Sequence, residues 1–361
     1  MNKKVAIIYL CWSDEPYKYL EEALDGISKQ AYDRASLELV VIYNSHKADE
    51  QSALDFIKNK TEERIDKLPH TTILAQTDNL GFVGGNNVGM QWAIDNDCDY
   101  VFLHNADGSL ESSAIGKLVD QISADNVGAV QSLMLLDPER ELINNAGNNF
   151  QYLGFGYCNM YRKKRELLDN ECVQVGYVSG AAVMMKVDLL KQYGLLDNDL
   201  FIYHDDLEYG LRLRSLGYQL LLVPDSIFYH KYKFSRNTNK YYLMERNRYA
   251  VMLMYFKWPT LILLMPMAII LEIGLIFFSL QGGWLMSKLR AYGYWLNIRN
   301  WSKWLKKRKM VQSRRVRSDS YIFSKAVGGV VFDDIDNWLL HYIGNPILST
   351  YFYIIKLFIF W

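Results

Sequence analysis

The chain has 361 residues, half of them hydrophobic and 22% charged, a composition that argues against disorder and supports a sizeable core. Its 40 basic and 40 acidic residues cancel, but unevenly: eleven Lys or Arg and no Asp or Glu fall between Lys288 and Arg317, so the remainder carries a net charge of −11. Four scattered cysteines, Cys11, Cys98, Cys158 and Cys172, form no Cys-x-x-Cys pair, which argues against a zinc site and a disulfide framework and fits a reducing cytosol.

The N-terminal "KVAIIYL" is a short apolar run ending near Ser13 and Pro16; it lacks the length and small-residue cleavage site of a signal peptide and predicts a buried strand. "YKYLEEALDGISKQ" has helical spacing, "LELVVIYNS" predicts a second buried strand, "DEQSALDFIKNK" a helix and "TTILAQ" a third strand. "GGNNVGMQWAIDND" opens a helix behind glycines, and "CDYVFLHNAD" is a fourth strand ending in a polar turn. This alternation predicts an α/β fold with a parallel sheet and helices on both faces, whose ligands bind at the carboxyl ends of the strands. From Gln131 to Tyr177 the pattern turns irregular, as expected of a mixed β region with long loops. "SGAAVMMKVDLLKQYG" then predicts a strand and helix, "DLEYGLRLRSLGY" a helix, "QLLLVP" a strand and "KYYLMERNRYAVMLMYF" a long helix leading out of the domain.

Three short stretches carry candidate chemistry. "DNLGFVGGNNVGM" sets four glycines and three asparagines at a loop-to-helix junction, which suits either a phosphate or sugar-nucleotide cradle or a plain turn; it has neither the P-loop Gly-Lys-Ser/Thr nor the dinucleotide Gly-x-Gly-x-x-Gly pattern. "HNADGS" is an oxygen-rich turn at a strand end, suited to Mg²⁺ or Mn²⁺ bound with a diphosphate and also an ordinary turn sequence. In "HDDLEYGLRLR", Asp205 and Asp206 point about 100° apart on a helix, and Glu208 stands four residues before Arg212, the favourable order for an ion pair. If Arg212 holds Glu208, an aspartate is left to act as a base, its proton affinity raised by its like-charged neighbour; the bland alternative is an acidic helix start. "VPDSIFYHK" ends a strand with His230, either structural or a ligand.

In order and spacing, "NLGFVGGNNVG", "SGAAVMMKVDLLKQYGLLDNDLFIYHDDLEYGLRLRSLGY" and "VPDSIFYHK" together resemble the inverting family 2 glycosyltransferases of GT-A fold, most closely the rhamnosyltransferase-like members of bacteria and archaea that build surface polysaccharides. The resemblance covers about residues 4 to 250 and weakens toward 320. It implies a Rossmann-like, mostly parallel sheet with flanking helices and a divalent cation, Mg²⁺ or Mn²⁺, held by Asp107 and His230. It implies Asp206 as the catalytic base, with Asp205 where a Glu is more common. Asn44, Asp78, Asn79, Gly81, Gly84, Asn86, Asn87, Asn105 and Gly180 would line the site of a UDP- or dTDP-sugar. The chain departs from the family where Tyr43 and Asn105 replace a frequent Asp and "YLCWS" replaces a common Tyr-Asn pair.

The implied division is a catalytic domain over 1–250 and a membrane-associated helical region over 251–361, with the basic segment 288–317. "WPTLILLMPMAIILEIGLIFFSL" has one charge, Glu272, in 23 residues, enough to span a bilayer, and "NPILSTYFYIIKLFIFW" has only Lys356. Sugar nucleotides are cytosolic and basic loops favour the cytoplasmic side, so a single crossing would part the basic segment from the catalytic domain. The expectation is therefore helices lying in the interface or a re-entrant hairpin, with an even number of crossings also allowed and "KWLKKRKMVQSRRVR" on anionic headgroups at the cytoplasmic face. The apolar flanks speak against nucleic acid as the partner. The implied acceptor is a hydroxyl of a lipid-linked glycan. The alternatives are a polyprenyl-phosphate sugar synthase and an inactive membrane-bound carbohydrate-binding scaffold.

Overall fold

A computed structural model describes residues 2–12, 15–45, 51–232, 239–330 and 338–361. Asp49 and Glu50, which open the second predicted helix, lie outside them. The chain forms two compact units that interleave along the sequence. The first comprises residues 1–147, 158–205 and 219–233; the second comprises 148–157, 206–218 and 234–361.

The first unit is built on a large mixed sheet. In chain order its elements are β1 (Val5–Cys11), α1 (Tyr17–Ser28), β2 (Leu37–Asn44), α2 (Gln51–Glu62), β3 (His70–Gln76), α3 (Gly81–Asp95), β4 (Tyr100–Asn105), β5 (Gly108–Leu110), α4 (Ala114–Ile122), β6 (Val127–Leu136) and β7 (Ile143–Asn145). Two short strands follow, β8 (Asn148–Gln151), which belongs to the second unit, and β9 (Gly156–Cys158), of which only Cys158 lies in the first. After them come β10 (Val173–Gln174), β11 (Ala182–Lys186), α5 (Val187–Tyr193), α6 (Asp205–Ser215), which opens with the last residue of this stretch of the unit, and β12 (Gln219–His230).

The sheet order is β10-β12-β6-β11-β4-β1-β2-β3, with β5 on β12 and β7 on β6. Strands β3, β2, β1 and β4 are parallel, as the alternating pattern predicts. Strand β11 enters antiparallel between β4 and β6, and β6 is again parallel to β12. Strands β1 and β6 are apolar almost throughout because both faces are covered. The glycines of α3 let it press onto that core: a Cβ on Gly89 would meet Ile8 at 2.5 Å, and one on Gly85 would meet Leu10 at 2.5 Å. Helix α4 was not among the predicted elements. Its buried stripe of Ala114, Ile115, Leu118, Val119 and Ile122 is helical in period, but it adjoins the polar turn and the irregular region that masked it.

The second unit is mainly helical. It contains most of α6 and then α7 (Asn239–Tyr255), α8 (Trp258–Gln281), α9 (Leu285–Leu296), α10 (Ile298–Arg314), α11 (Asp319–Phe323), strand β13 (Ala326–Val327) and α12 (Asn345–Lys356). Among the described residues, α8 is the one helix long and apolar enough to cross a membrane. The twelve residues of α12 continue directly from a π-helical segment, Leu340–Gly344.

The lone charge of α8 is not isolated. The Glu272 carboxylate meets Arg248 Nη2 of α7 and, at 2.6 Å each, Lys288 Nζ and Tyr292 Oη of α9. Arg248 and Lys288 also both pair with Glu245. This quartet ties α8 to α7 and α9, while Ile262, Met265, Ile269, Ile273, Phe277 and Leu280 form an exposed apolar stripe along α8.

The basic segment is only partly a solvated face. Lys288 is buried in the quartet, Arg308 donates to the carbonyls of Leu253 and Phe256 at the end of α7, and Arg315 donates to the Tyr255 carbonyl at 2.8 Å and pairs with Asp319. These three cations serve the fold, and two of them, Arg308 and Arg315, fall within "KWLKKRKMVQSRRVR". Arg290, Arg299, Lys306 and Lys309 stay exposed.

Candidate active site

The first unit brings together residues that the sequence keeps far apart. Strand β4 ends at Asn105, the chain turns through Ala106 and Asp107, and β5 pairs antiparallel with β12 so that Gly108 lies opposite His230. Only glycine allows that approach, since a Cβ at 108 would sit 2.0 Å from the Phe228 ring. The pairing leaves Asp107 Oδ1 3.0 Å from His230 Nε2 across 123 positions of sequence, and the Lys231 N–H donates to the Asp107 carbonyl at 2.9 Å. Burial works to raise the Asp107 carboxyl, but the neighbouring His230 ring and a hydrogen bond from the Asn105 amide outweigh it and hold the group below the usual range, so it is ionised at neutral pH.

The turn itself is braced from within. His104 is buried among Tyr9, Phe102 and Phe228, and its Nδ1–H donates to the Asn105 carbonyl at 2.8 Å. Burial lowers its pKa to about 4, so the ring is neutral. Tyr9 Oη donates to the Ala106 carbonyl at 3.2 Å. The Asn105 N–H donates to the Ala181 carbonyl at 3.0 Å, which joins this turn to the "SGA" loop.

That loop is fixed in turn by Gln131 on β6. Its Oε1 accepts from the Ser179 N–H at 2.7 Å, and its Nε2 donates to Asn145 Oδ1 at 3.1 Å. The neighbouring Asn144 places Oδ1 2.8 Å from His230 Nδ1. A buried polar network therefore runs from the "SGA" loop through β6 and β7 to His230 and Asp107.

The glycine-rich loop is braced by the side chains and carbonyls around it. Asn44 at the end of β2 accepts from the Leu80 N–H at 2.9 Å and donates to the Gly81 carbonyl at 3.0 Å. Asn79 Oδ1 caps the Gly81 N–H at 2.8 Å, and the Phe201 carbonyl takes the Val83 N–H at 3.0 Å. The leading N–H groups at Gly81 and Val83 are thus engaged by the protein, so the start of α3 is a braced wall. Asn86 donates to the Phe82 carbonyl, and Asn87 bonds both the carbonyl and the N–H of Leu196. Gly84 fits beneath Leu80, whose Cβ would lie 2.7 Å from an added methyl, and Asp78 faces solvent. Tyr43 is buried in the core and presents no polar group at the surface where the family often has Asp.

The wall holds the approach to the acidic pair. Phe201, Tyr203 and His204 adopt φ of 66°, 68° and 63° immediately before Asp205, a left-handed run that is costly for residues other than glycine and gathers at functional sites. Gly81, itself at φ 72°, packs under this run; a Cβ there would lie 2.6 Å from the Phe201 carbonyl oxygen. Asp205 is buried, with Oδ2 4.0 Å from where a Cβ on Gly180 would sit, and the Phe82 ring closes the same spot at 3.1 Å.

In the second unit, half-buried Asp206 accepts from the Leu207 N–H at 2.8 Å. Glu208 is locked: Arg212 reaches it with Nη2 at 2.6 Å and Nε at 3.2 Å, and Tyr255 Oη donates to it as well. The expected Glu208–Arg212 pair is present.

Among the described residues, no group of three or more His, Cys, Asp or Glu gathers to hold a metal. Asp107 and His230 offer two donors. Their 3.0 Å separation equals that of adjacent ligands at about 2.1 Å around an octahedral ion. Such a pair suits a cation that completes its shell with water and substrate phosphate.

The family model described as glycosyltransferase-like family 2 matches residues 3–251. The chain belongs to this glycosyltransferase family. No curated protein matches the sequence. Among solved structures, GalNAc-T7 with UDP, GalNAc and Mn²⁺ aligns at 16% identity and a TM-score of 0.57, covering 71% of this chain and 48% of that one. The mannosyltransferase PcManGT of Pyrobaculum calidifontis, in complex with GDP-Man and Mn²⁺, aligns at 17% identity and a TM-score of 0.52, covering 87% of this chain and 86% of that one. The chain thus spans about half the length of the GalNAc-T7 structure. The curled, mostly parallel sheet is that of a GT-A glycosyltransferase.

Sequence reasoning placed Asp107 and His230 at strand ends but missed His104, Gln131 and Asn144. His104 could have been suspected from its place in "VFLHNAD", where a buried strand position carries a polar ring.

Proposed function

We propose that this glycosyltransferase is an inverting, metal-dependent enzyme that moves a sugar from a UDP- or dTDP-sugar to a hydroxyl of a lipid-linked glycan, in the synthesis of a surface polysaccharide of the rhamnosyltransferase type. The direct contact of Asp107 with His230 carries the proposal, because the fold closes two distant residues into the donor pair that a cation needs. The solved neighbours with UDP and with GDP-Man, both holding Mn²⁺, support a nucleotide-sugar donor and a divalent ion. When bound to Asp107 and His230, Mg²⁺ or Mn²⁺ would neutralise charge on the diphosphate.

Asp206 accepts the proton of the acceptor hydroxyl as its oxygen attacks the anomeric carbon. The bond from that carbon to the diphosphate oxygen breaks, its electron pair leaves with the nucleoside diphosphate, and a single displacement inverts the centre. Glu208, neutralised by Arg212, is withdrawn from this role, and Asp205 is buried against the Gly180 loop. Asn44, Asn79, Gly81, Gly84, Asn86 and Asn87 act by shaping the wall of the donor site, with Asp78 at its rim. Asn105 and Gly180 form the floor.

Asp206→Asn should leave the unfolding curve unchanged and lower transfer by about 10²–10⁴-fold. Full activity in that variant removes the base assignment. Hydrolysis of a panel of UDP-, dTDP- and GDP-sugars, with Mn²⁺ and with EDTA, identifies the donor and the metal requirement.

The same proposal places the enzyme on the cytoplasmic face of the cell membrane, with α8 lying in the interface. Supporting this are the exposed apolar stripe of α8, the exposed Tyr353, Ile354, Leu357 and Phe358 near the C-terminus, and the outward cations of α9 and α10. A spanning α8 would carry the Glu245–Arg248–Glu272–Lys288 quartet toward the bilayer centre, where charge is expensive.

A further inference from the structure

The geometry points to Asn144 as a positioning residue that fixes which nitrogen of His230 is offered to the cation. This inference rests on the metal assignment of the proposed function.

Asn144 is the extra residue of a β-bulge. Met134 pairs with Asn145 and Leu135 with Ile143, so one step along β6 matches two along β7, and Asn144 has no partner in the ladder. Bulges beside active sites re-aim side chains. Here the bulge leaves Asn145 bonded to Gln131 and directs Asn144 to His230.

The contact is chemically one-sided. A carboxamide oxygen only accepts, so Oδ1 at 2.8 Å keeps the ring hydrogen on Nδ1. In the neutral ring the lone pair is then on Nε2, the nitrogen 3.0 Å from Asp107 Oδ1. Two acceptor atoms so placed repel each other unless a positive centre lies with them. A ring with its hydrogen on Nε2 could still donate to Asp107 but could not ligate through that atom. The amide N–H₂ of Asn144 is buried and has no hydrogen-bond partner among the described residues. The side chain thus presents its oxygen to the ring, which is what orienting a histidine ligand requires.

The test measures Mn²⁺ affinity of the full-length protein by the EPR signal of free Mn²⁺, with UDP present, in wild type, Asn144→Asp and Asn144→Ala. The ring tautomer is read from ¹⁵N shifts of His230 without metal. Asn144→Asp, which can only accept, should keep the hydrogen on Nδ1 and bind Mn²⁺ at least as tightly as wild type. Asn144→Ala should lose the fixed tautomer and weaken Mn²⁺ by about 10–100-fold, the usual cost of removing such a partner. Unchanged affinity in Asn144→Ala overturns the inference. So does an equal loss in a folded Asn144→Asp, which would mean that the amide N–H₂ faces the ring. If Asn144→Ala does not fold, the aspartate variant and the wild-type tautomer still decide. Asp107→Asn and His230→Ala serve as controls: if both bind Mn²⁺ like wild type, the metal assignment fails, whatever tautomer Asn144 imposes.

Discussion

Arg212 and Glu208 decide which carboxylate of the acidic cluster can react. Both side chains are nearly enclosed, and Tyr255 adds a third contact to the glutamate. Removing the cation would strand a buried carboxylate, a change that costs about 3–5 kcal/mol. Arg212→Ala should therefore lower stability by that order in urea unfolding, and Arg212→Ala/Glu208→Gln should regain most of it. If Arg212→Ala were as stable as wild type, Glu208 would not be held and could compete for the role given to Asp206. This pair was legible in the sequence because it is local, four residues apart on one helix. The Asp107–His230 contact was legible only as a resemblance, because it depends on the three-residue strand β5 finding β12. Asn144 was not legible at all. A bulge follows from strand register, and no local pattern in "INNAG" distinguishes an asparagine that orients a ring from one that makes a turn.

Helix α3 shows how a motif can be legible as an element while the work of each of its glycines is not. Its glycines suggest room for a ligand, yet Gly85 and Gly89 face β1 and Gly81 faces the Phe201 carbonyl. The sequence cannot separate these cases, since an absent Cβ serves a close approach to backbone, side chain or phosphate equally well. Gly81→Ala combines a left-handed φ with a 2.6 Å clash, so it should destabilise by about 1–3 kcal/mol and weaken donor binding through the 201–204 segment. Gly116 in α4 is the opposite case, with its nearest neighbour, Tyr32, 3.9 Å from an added methyl. Gly116→Ala should stabilise by about 0.5–1 kcal/mol. Thermal unfolding of both variants checks the pair. Two shifts of the same sign would show that these glycines do not differ as described.

For the molecule as a whole, the decisive pattern is a helical unit with an apolar stripe on one helix and outward cations on the next two. A surface of this kind should hold the enzyme on vesicles containing anionic lipid and much less on neutral ones. Ile269→Glu/Phe277→Glu should move the protein from floated vesicles to the soluble fraction, and Lys306→Glu/Lys309→Glu should remove the preference for anionic lipid. Wild type that stays soluble with pre-formed anionic vesicles would rule out the surface. The length and hydropathy of α8 were plain in the sequence, but its orientation was not, because Glu272 gains its meaning only from Arg248 and Lys288 on neighbouring helices.

The Glu272 quartet also constrains biogenesis. A lone α8 emerging from the ribosome carries an uncompensated carboxylate, and its counter-ions lie partly on a helix not yet synthesised. Closing the clamp needs α7, α8 and α9 together.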